Sequence, residues 1–366
     1  MPKTHAGLIR TFLSVPAWLR PVLALGFLAR LLSGLLLLNL LVAGLAVWAL
    51  YESRLKYEES ATEEAQNLAL LLDHDITTSM RSLDLALQAT VMEIERQIAA
   101  DRVDAQALNF YIEQQLFQHP DLDGLRVADA QGRMTYGTGV PPGAQLMVDD
   151  RDYFVRLRQA PSAGPVLGQP ARGRISGKWV INLARAIRGP EGRFAGVVVG
   201  SVPLSRFTRT FAALALGAGG AFALFDSEMR LVTQHPEVVG AATMAGMKFG
   251  SPPLENLLRS GAIEGSYQAT SSLDGVPRLF AYRKVSGVPL HIVTGLAIEH
   301  AFAGWRQEVI KAMGMVVTFM LVTLALSLFI YRVWHQQADA VAALREANRF
   351  LDAEKHLNQT IIQSSP

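Results

Sequence analysis

The sequence predicts an α+β protein. Two tandem modules, each an antiparallel sheet with helices, hang on one long N-terminal helix between two membrane-spanning helices. Three observations predict it. Two apolar runs, residues 31–50 and 312–330, each approach the roughly 20 residues that a membrane helix needs. After the first run, Ala65, Leu68, Ala69, Leu72, Ile76, Met80, Leu83, Leu87 and Val91 recur at spacings of three and four, and Ile94 and Ile98 extend the pattern. That is the mark of an amphipathic helix from about 52 to 100. Beyond it, strand–turn–strand patterns come twice in the same order. Gly200 in VVVGSVPLSRF matches Gly295 in IVTGLAIEHAF, and Phe207 and Phe302 each lie seven residues on. Arg185 and Arg283 precede those glycines by fifteen and twelve residues.

The ends of the chain set its topology. Residues 1–30 form a basic lead with Lys3, Arg10, Arg20 and Arg30 and no acid, whereas the stretch after the first apolar run, Glu52 to Glu64, is mainly acidic. By the positive-inside rule the N-terminus is cytoplasmic. Two spans then put residues 51–308 outside and return 331–366 to the cytoplasm. A cleaved signal peptide ending at Val47-Trp48-Ala49 fits less well, because the apolar run is long and the lead is about thirty residues. Half of the 366 residues are hydrophobic, which agrees with membrane segments. The net charge of +2 forms no basic stripe, so no nucleic-acid partner is expected. The absence of cysteine excludes disulfides, thiolate metal sites and cysteine nucleophiles.

Within the outer part, the first module spans about 100–207 and the second about 217–300. Asp104 to Gln118 reads as a helix stopped by His119-Pro120, and Gly124 to Tyr136 as strand, turn, strand. Arg151 to Gln159 is a helical turn carrying Tyr153, Phe154 and Leu157. Lys178 to Ile187 and Phe194 to Val202 are strands joined at Gly189-Pro190-Glu191-Gly192. Phe207 to Leu216 is an apolar helix or linker. In the second module, strands flank Asp226 to Arg230, a helix covers Pro253 to Arg259, and strands follow at 265–271, 277–284 and 290–296. After the second span, Leu344, Leu351 and Asn358 fall seven apart. That spacing suits a short parallel dimer linker and also a single exposed helix.

Residues 151–193 concentrate the chemistry. Nine Lys/Arg stand there against Asp152 and Glu191, which reads as a seat for a small anion. Guanidinium groups hold a carboxylate through paired hydrogen bonds. On the strand from Lys178, alternation puts Trp179, Ile181, Leu183, Arg185 and Ile187 on one face and Asn182 on the other.

Three stretches then carry a resemblance: RDYF at 151–154, ISGKWVINLARAIRGPEGRFAGVVVGSVPL at 175–204, and SLDGVPRLFAYRKVSGVPLHIVTGL at 272–296. Over about 52–305 the chain resembles the double Cache sensor domains of bacterial transmembrane receptors, two PAS-like modules on a long helix, in the version found ahead of diguanylate cyclases and sensor histidine kinases. The tail HLNQTIIQSSP resembles the lead-in to a cytoplasmic PAS domain, which makes the chain the input half of a longer receptor of this signal-transduction class, with a homodimer as its working form.

The resemblance implies a ligand in the membrane-distal module, and by position the ligand-binding residues Arg151, Tyr153, Trp179 and Arg185, then Asp152, Asn182 and Arg174. A structural reading stands beside each main one. Arg151 caps a helix or pairs with Asp149 or Asp150; Arg185 is an exposed strand arginine; Trp179 packs in the core; Arg172 and Arg174 are solvated. The acid that meets the ammonium in amino-acid receptors has no clear match, which favours a carboxylate over an amino acid. In the second module Asp274, Arg278, Tyr282 and Arg283 are the parallel set, with DGVPR read as a turn and a structural arginine.

No cofactor or metal is implied, since the eight histidines are scattered. No Walker loop, nucleophile elbow or carboxylate pair stands out, and His356 lacks the context of a phosphoacceptor. The expected function is a membrane sensor for a small anion, carboxylate or amino acid. The alternatives are a chemoreceptor-like or non-binding dimerisation scaffold and an extracytoplasmic enzyme, which would need a nucleophile or an acid–base pair where the sequence has arginines.

Overall fold

The computed structural model describes residues 20–213, 219–236, 245–248 and 250–363. Most of the basic lead, the expected start of the second module at 217–218 and the last three residues lie outside these. The chain forms two units, one drawn from its two ends and the other Lys56–Ala303. Helix α1 (Arg20–Ala99) leads to α2 (Ala105–Gln118), β1 (Gly124–Asp129), β2 (Met134–Gly137), α3 (Asp152–Gln159) and the short β3 (Val166–Leu167) and β4 (Ala171–Arg172). The hairpin of β5 (Trp179–Arg188) and β6 (Phe194–Pro203) follows, then α4 (Leu204–Ala213). The second set is β7 (Ala221–Asp226), β8 (Leu231–His235), α5 (Pro252–Arg259), β9 (Glu264–Thr270), β10 (Pro277–Lys284), β11 (Leu290–Ala297) and α6 (Ile298–Ala301). Helix α7 (Ala303–Gln363) closes the chain.

Both sheets are antiparallel and follow one path, β2-β1-β6-β5-β3 with β4 also on β5, and β8-β7-β11-β10-β9. This common topology is the repeat that the glycine spacing suggested. The amphipathic stripe of α1 is what joins the sheets. Leu72, Ile76, Met80, Leu83, Leu87, Val91 and Ile94 are buried in one cluster with Leu125, Ile181 and Val198 of the first module and Phe222, Leu224 and Ile292 of the second. Each such side chain contributes about 1.5–3 kcal/mol by leaving water. Gly200 lets Leu83 of the helix pack against β6, since a Cβ there would come within 2.5 Å of Leu83 Cδ1.

The two arginines of the repeat clamp this helix. Arg185 on β5 donates to Asp84 through Nε at 2.6 Å and Nη2 at 2.9 Å. Arg283 on β10 donates from Nε to Asp73 at 3.0 Å. Asp73 also accepts from the Ser286 N–H at 2.8 Å and the Thr77 hydroxyl at 3.0 Å. Burial opposes ionisation of Asp73, but the Ser286, Arg283 and Thr77 bonds together outweigh it and hold the carboxyl below its usual range.

Two differences from the sequence reading have simple causes. The helix expected from about 52 begins at Arg20 and continues through the apolar run, because nothing between Leu50 and Glu64 breaks it. The loop before β5 holds β3 and β4, two residues each, too short to show a period in sequence.

In the unit formed by the chain ends, α1 and α7 are the two helices among the described residues long and apolar enough to cross a membrane. Leu36, Leu37, Leu40 and Leu41 of α1, and Leu321, Val322 and Leu324 of α7, are exposed. Asn39 donates from Nδ2 to Thr323 Oγ1 at 3.1 Å, a polar pair between two apolar segments.

Candidate functional site

The first sheet has two faces with different chemistry. One is taken by α1 and its apolar stripe. On the other, α3 packs through Phe154 and Leu157, both fully buried. Arg151 takes the N-cap position of α3 with extended backbone (φ −75°, ψ 138°), and Tyr153, two residues on, packs against the sheet. Gly168 allows the loop after β3 to approach: a Cβ there would lie 2.9 Å from Tyr153 Cδ1.

Between α3, the sheet and its covering loops is a cavity of about 30 Å³. Its polar lining is Arg126, Arg151, Tyr153, Arg174, Asn182 and Ser201, over an apolar wall that includes Met134, Leu146 and Val199. No acid stands among the described lining residues. At the floor, Ser201 Oγ donates to Asn182 Oδ1 at 2.7 Å and accepts from Arg126 Nη1 at 3.3 Å. Arg126 is 6 % exposed, and its Nε donates to the Thr138 carbonyl at 2.9 Å. Burial pulls its pKa down, opposed chiefly by Asp123, whose Oδ2 lies 3.8 Å from Nη2. At the rim, Arg174 pairs with Asp150 and donates to the Met147 carbonyl. Arg151 Nη2 donates to the Arg172 carbonyl at 2.9 Å. With five N–H groups, the Arg151 guanidinium keeps donors for a further partner. Burial pushes the Tyr153 phenol up to about 12, so it stays a neutral hydroxyl. The arrangement offers donors and positive charge to an anion.

The structure brings Arg151, Tyr153, Asn182 and Arg174 to one cavity. Asp152 stands next to it, but its carboxylate is engaged by the Gln169 N–H at 3.1 Å. Trp179 and Arg185 do not line the cavity. Trp179 packs against the α1 core, and Arg185 is spent on Asp84. The alternation along β5 is as the sequence suggests; the grouping of that face with Arg151 is what changes. α1 covers the Ile181–Leu183–Ile187 face and leaves the Asn182 face to the cavity. Likewise the partner of Asp150 is Arg174, not Arg151. Arg126 and Ser201 were missed. The available signal was a charged and a hydroxyl residue inside otherwise apolar strands, GLRVAD and VVVGSVP.

In the second module, Arg278 is 1 % exposed and bound by Asp274 through two bonds of 2.6 Å. The DGVPR turn thus carries a buried ion pair that holds the module together. Among the described residues no cluster of His, Cys, Asp or Glu could hold a metal ion.

Comparison with known proteins places this geometry. The Cache domain profile matches residues 53–305. No curated protein sequence matches the chain. Among solved structures, the extracellular domain of rpHK1S-Z16, described as a histidine kinase, is 26 % identical, with a TM-score of 0.59 over 68 % of this chain and 98 % of that one. The ligand-binding domain of the Pseudomonas fluorescens chemoreceptor CtaA, solved with L-isoleucine, is 16 % identical (TM-score 0.51, 69 % of this chain, 98 % of that one). That of the Pseudomonas aeruginosa amino-acid chemoreceptor PctB, solved with L-Gln, is 16 % identical (TM-score 0.51, 66 % and 93 %). With two sheets of one topology on a shared helix and the profile match across both, the chain belongs to the Cache domain family, the sensor domains of membrane receptors.

Proposed function

We propose that this chain is a two-pass inner-membrane receptor whose first module binds a small carboxylate. Residues 1–30 and 331–366 lie in the cytoplasm, 31–50 and 312–330 span the membrane, and the Cache unit faces the periplasm. Binding signals through the second span to a cytoplasmic output of the diguanylate cyclase or histidine kinase kind. One observation carries the reading: Arg126, Arg151 and Arg174 converge with Asn182, Ser201 and Tyr153 on a cavity with no acid among its described lining. Amino acids share the carboxylate that these groups suit, but their ammonium finds no counter-charge here. The ligand's carboxylate enters first, and the loops bearing Leu146 and Ile175 move to seat the rest.

The test is calorimetric titration of the full chain in nanodiscs with panels of carboxylates and amino acids. A charged hydrogen bond is worth about 1.5–3 kcal/mol, so Arg151→Ala is expected to weaken the best carboxylate about 10- to 100-fold. A panel without any ligand that Arg151→Ala weakens would sink the proposal.

The working form proposed is a homodimer through α1. Leu71, Leu85 and Met92 are 59 %, 60 % and 71 % exposed on that helix and fall on one seven-residue period. Two copies leaving one membrane run parallel, which this period suits. The chain has no native cysteine, so single-cysteine cross-linking is clean. Leu85→Cys and Met92→Cys are expected to form disulfide dimers in membranes under mild oxidation, while Gln268→Cys, exposed on β9, does not. Monomers at both α1 positions would refute the interface.

A further inference from the structure

The second module holds a buried polar group that the anion site leaves unexplained. Gln234 on β8 is 4 % exposed, and neither its Nε2 nor its Oε1 has a hydrogen-bond partner among the described residues. Buried amides are ordinarily paired, since losing water without a replacement bond is costly.

The strand register shows where this amide points. Gln234 stands opposite Ala223 on β7, and directly opposed residues share a face. Ala223 belongs to a core cluster with Phe225, Tyr282 and Val293, to which α1 contributes nothing. On that face Gln234 lines a cavity of about 30 Å³. A second cavity of about 50 Å³ shares Ala223, Ser271, Phe280 and Val293 with it, so the two adjoin. The second is lined by Ser251 and Tyr267, whose hydroxyls lie together. Gln234 further borders a cavity of about 300 Å³ lined by Trp179 and Leu231. The two orphaned amide atoms therefore border adjoining spaces whose walls are otherwise largely apolar. The one lining carboxylate, Asp274, is already neutralised by Arg278.

We propose that this pocket is a second ligand site, separate from the Arg151 cavity, and that it takes an uncharged primary amide. Such a ligand donates to Gln234 Oε1 and accepts from Nε2, forming two parallel bonds in one plane. A carboxylate has no N–H and completes only half of that pairing, while leaving its charge buried. The ligand's apolar end lies against Phe280 and Val293, and Ser251 offers a further hydroxyl. The proposal does not depend on what the first module binds.

The experiment uses the full chain in nanodiscs and ligand-observed saturation-transfer NMR, with propionamide as probe and propionate as its charged counterpart. Saturable propionamide binding is expected, with propionate at least tenfold weaker. Gln234→Leu should weaken propionamide at least tenfold and, without ligand, raise Tm, because an orphaned amide gives way to an apolar side chain of similar size. Arg151→Ala should leave propionamide binding in place. Ser251→Ala is the second variant and should weaken binding even if Gln234→Leu fails to fold. The proposal falls if wild type shows no saturable propionamide binding, or if neither variant changes it. It also falls if Gln234→Leu folds but melts lower, or if a solved structure soaked in propionamide shows only an ordered water on the Gln234 amide.

Discussion

Replacing Arg278 with methionine is expected to remove about 3–5 kcal/mol of stability, the usual cost of stripping one partner from a buried ion pair. Arg278 is 1 % exposed and spends Nη1 and Nη2 on Asp274 and Nε on the Gly219 carbonyl. The methionine fills much of the space but leaves the carboxylate unpaired. The Arg278 bond is the largest influence on Asp274 and holds its carboxyl at about 2, against burial, which raises it. A depressed folded pKa stabilises above the unfolded value near 4, and that stability is lost as pH falls from about 4 through 2. The gain above pH 4 is of order 2 kcal/mol. In Arg278→Met the sign reverses: the unpaired buried carboxyl rises, so acid relieves it. The gap between variant and wild type should therefore narrow from pH 7 to pH 3 in urea unfolding of the detergent-solubilised chain. A penalty below about 1 kcal/mol, or one that ignores pH, would show that the pair is not structural.

Removing the Asp73 side chain should cost nearly as much, about 3–5 kcal/mol. Its carboxylate is 7 % exposed and gathers the Arg283 guanidinium, the Ser286 N–H and hydroxyl and the Thr77 hydroxyl. Asp73→Ala leaves the Ser286 N–H and hydroxyl without this acceptor and the Arg283 guanidinium with Glu264 alone, while the apolar contacts of α1 with the second sheet stay in place. Asp84→Ala is the internal comparison. Its pair with Arg185 is 21 % and 23 % exposed, so water can replace the lost partner and the expected cost is nearer 1 kcal/mol. Unfolding curves for both variants give the ranking, and equal or inverted costs would contradict it.

Much of this fold was legible in the sequence because its signals are periodic. The α1 stripe from Ala65 to Ile94 repeats at helical spacing, and the strands end at Gly, Pro and Asp turns. The weak repeat around Gly200 and Gly295 was enough to find two sheets of one topology. The site was only half legible. Arg151 and Tyr153 of RDYF reach the cavity because a motif is a local property, and Asn182 reaches it from the face of β5 opposite Trp179 and Arg185. Trp179 and Arg185 were placed with them because alternation says which residues share a face but not which face a distant helix covers. That depends on Leu83 and its neighbours, about a hundred residues earlier. Arg126 and Gln234 escaped notice for the same reason: a polar residue inside a strand has meaning only once its burial is known.

Asp73 and Asp84 stand eleven residues apart, which at 100° per residue is three turns and about 20°. The two anchoring points therefore fall on nearly one line along α1, about 16 Å from each other. A shaft pinned twice along one generator cannot spin against either holder while both pins stay in place. Within the sensor unit, relative rotation is the motion that both ion pairs resist, so the movement left to α1 that breaks neither is a displacement carrying both sheets together. A ligand that unseated a single arginine would turn that rigid coupling into a pivot about the other.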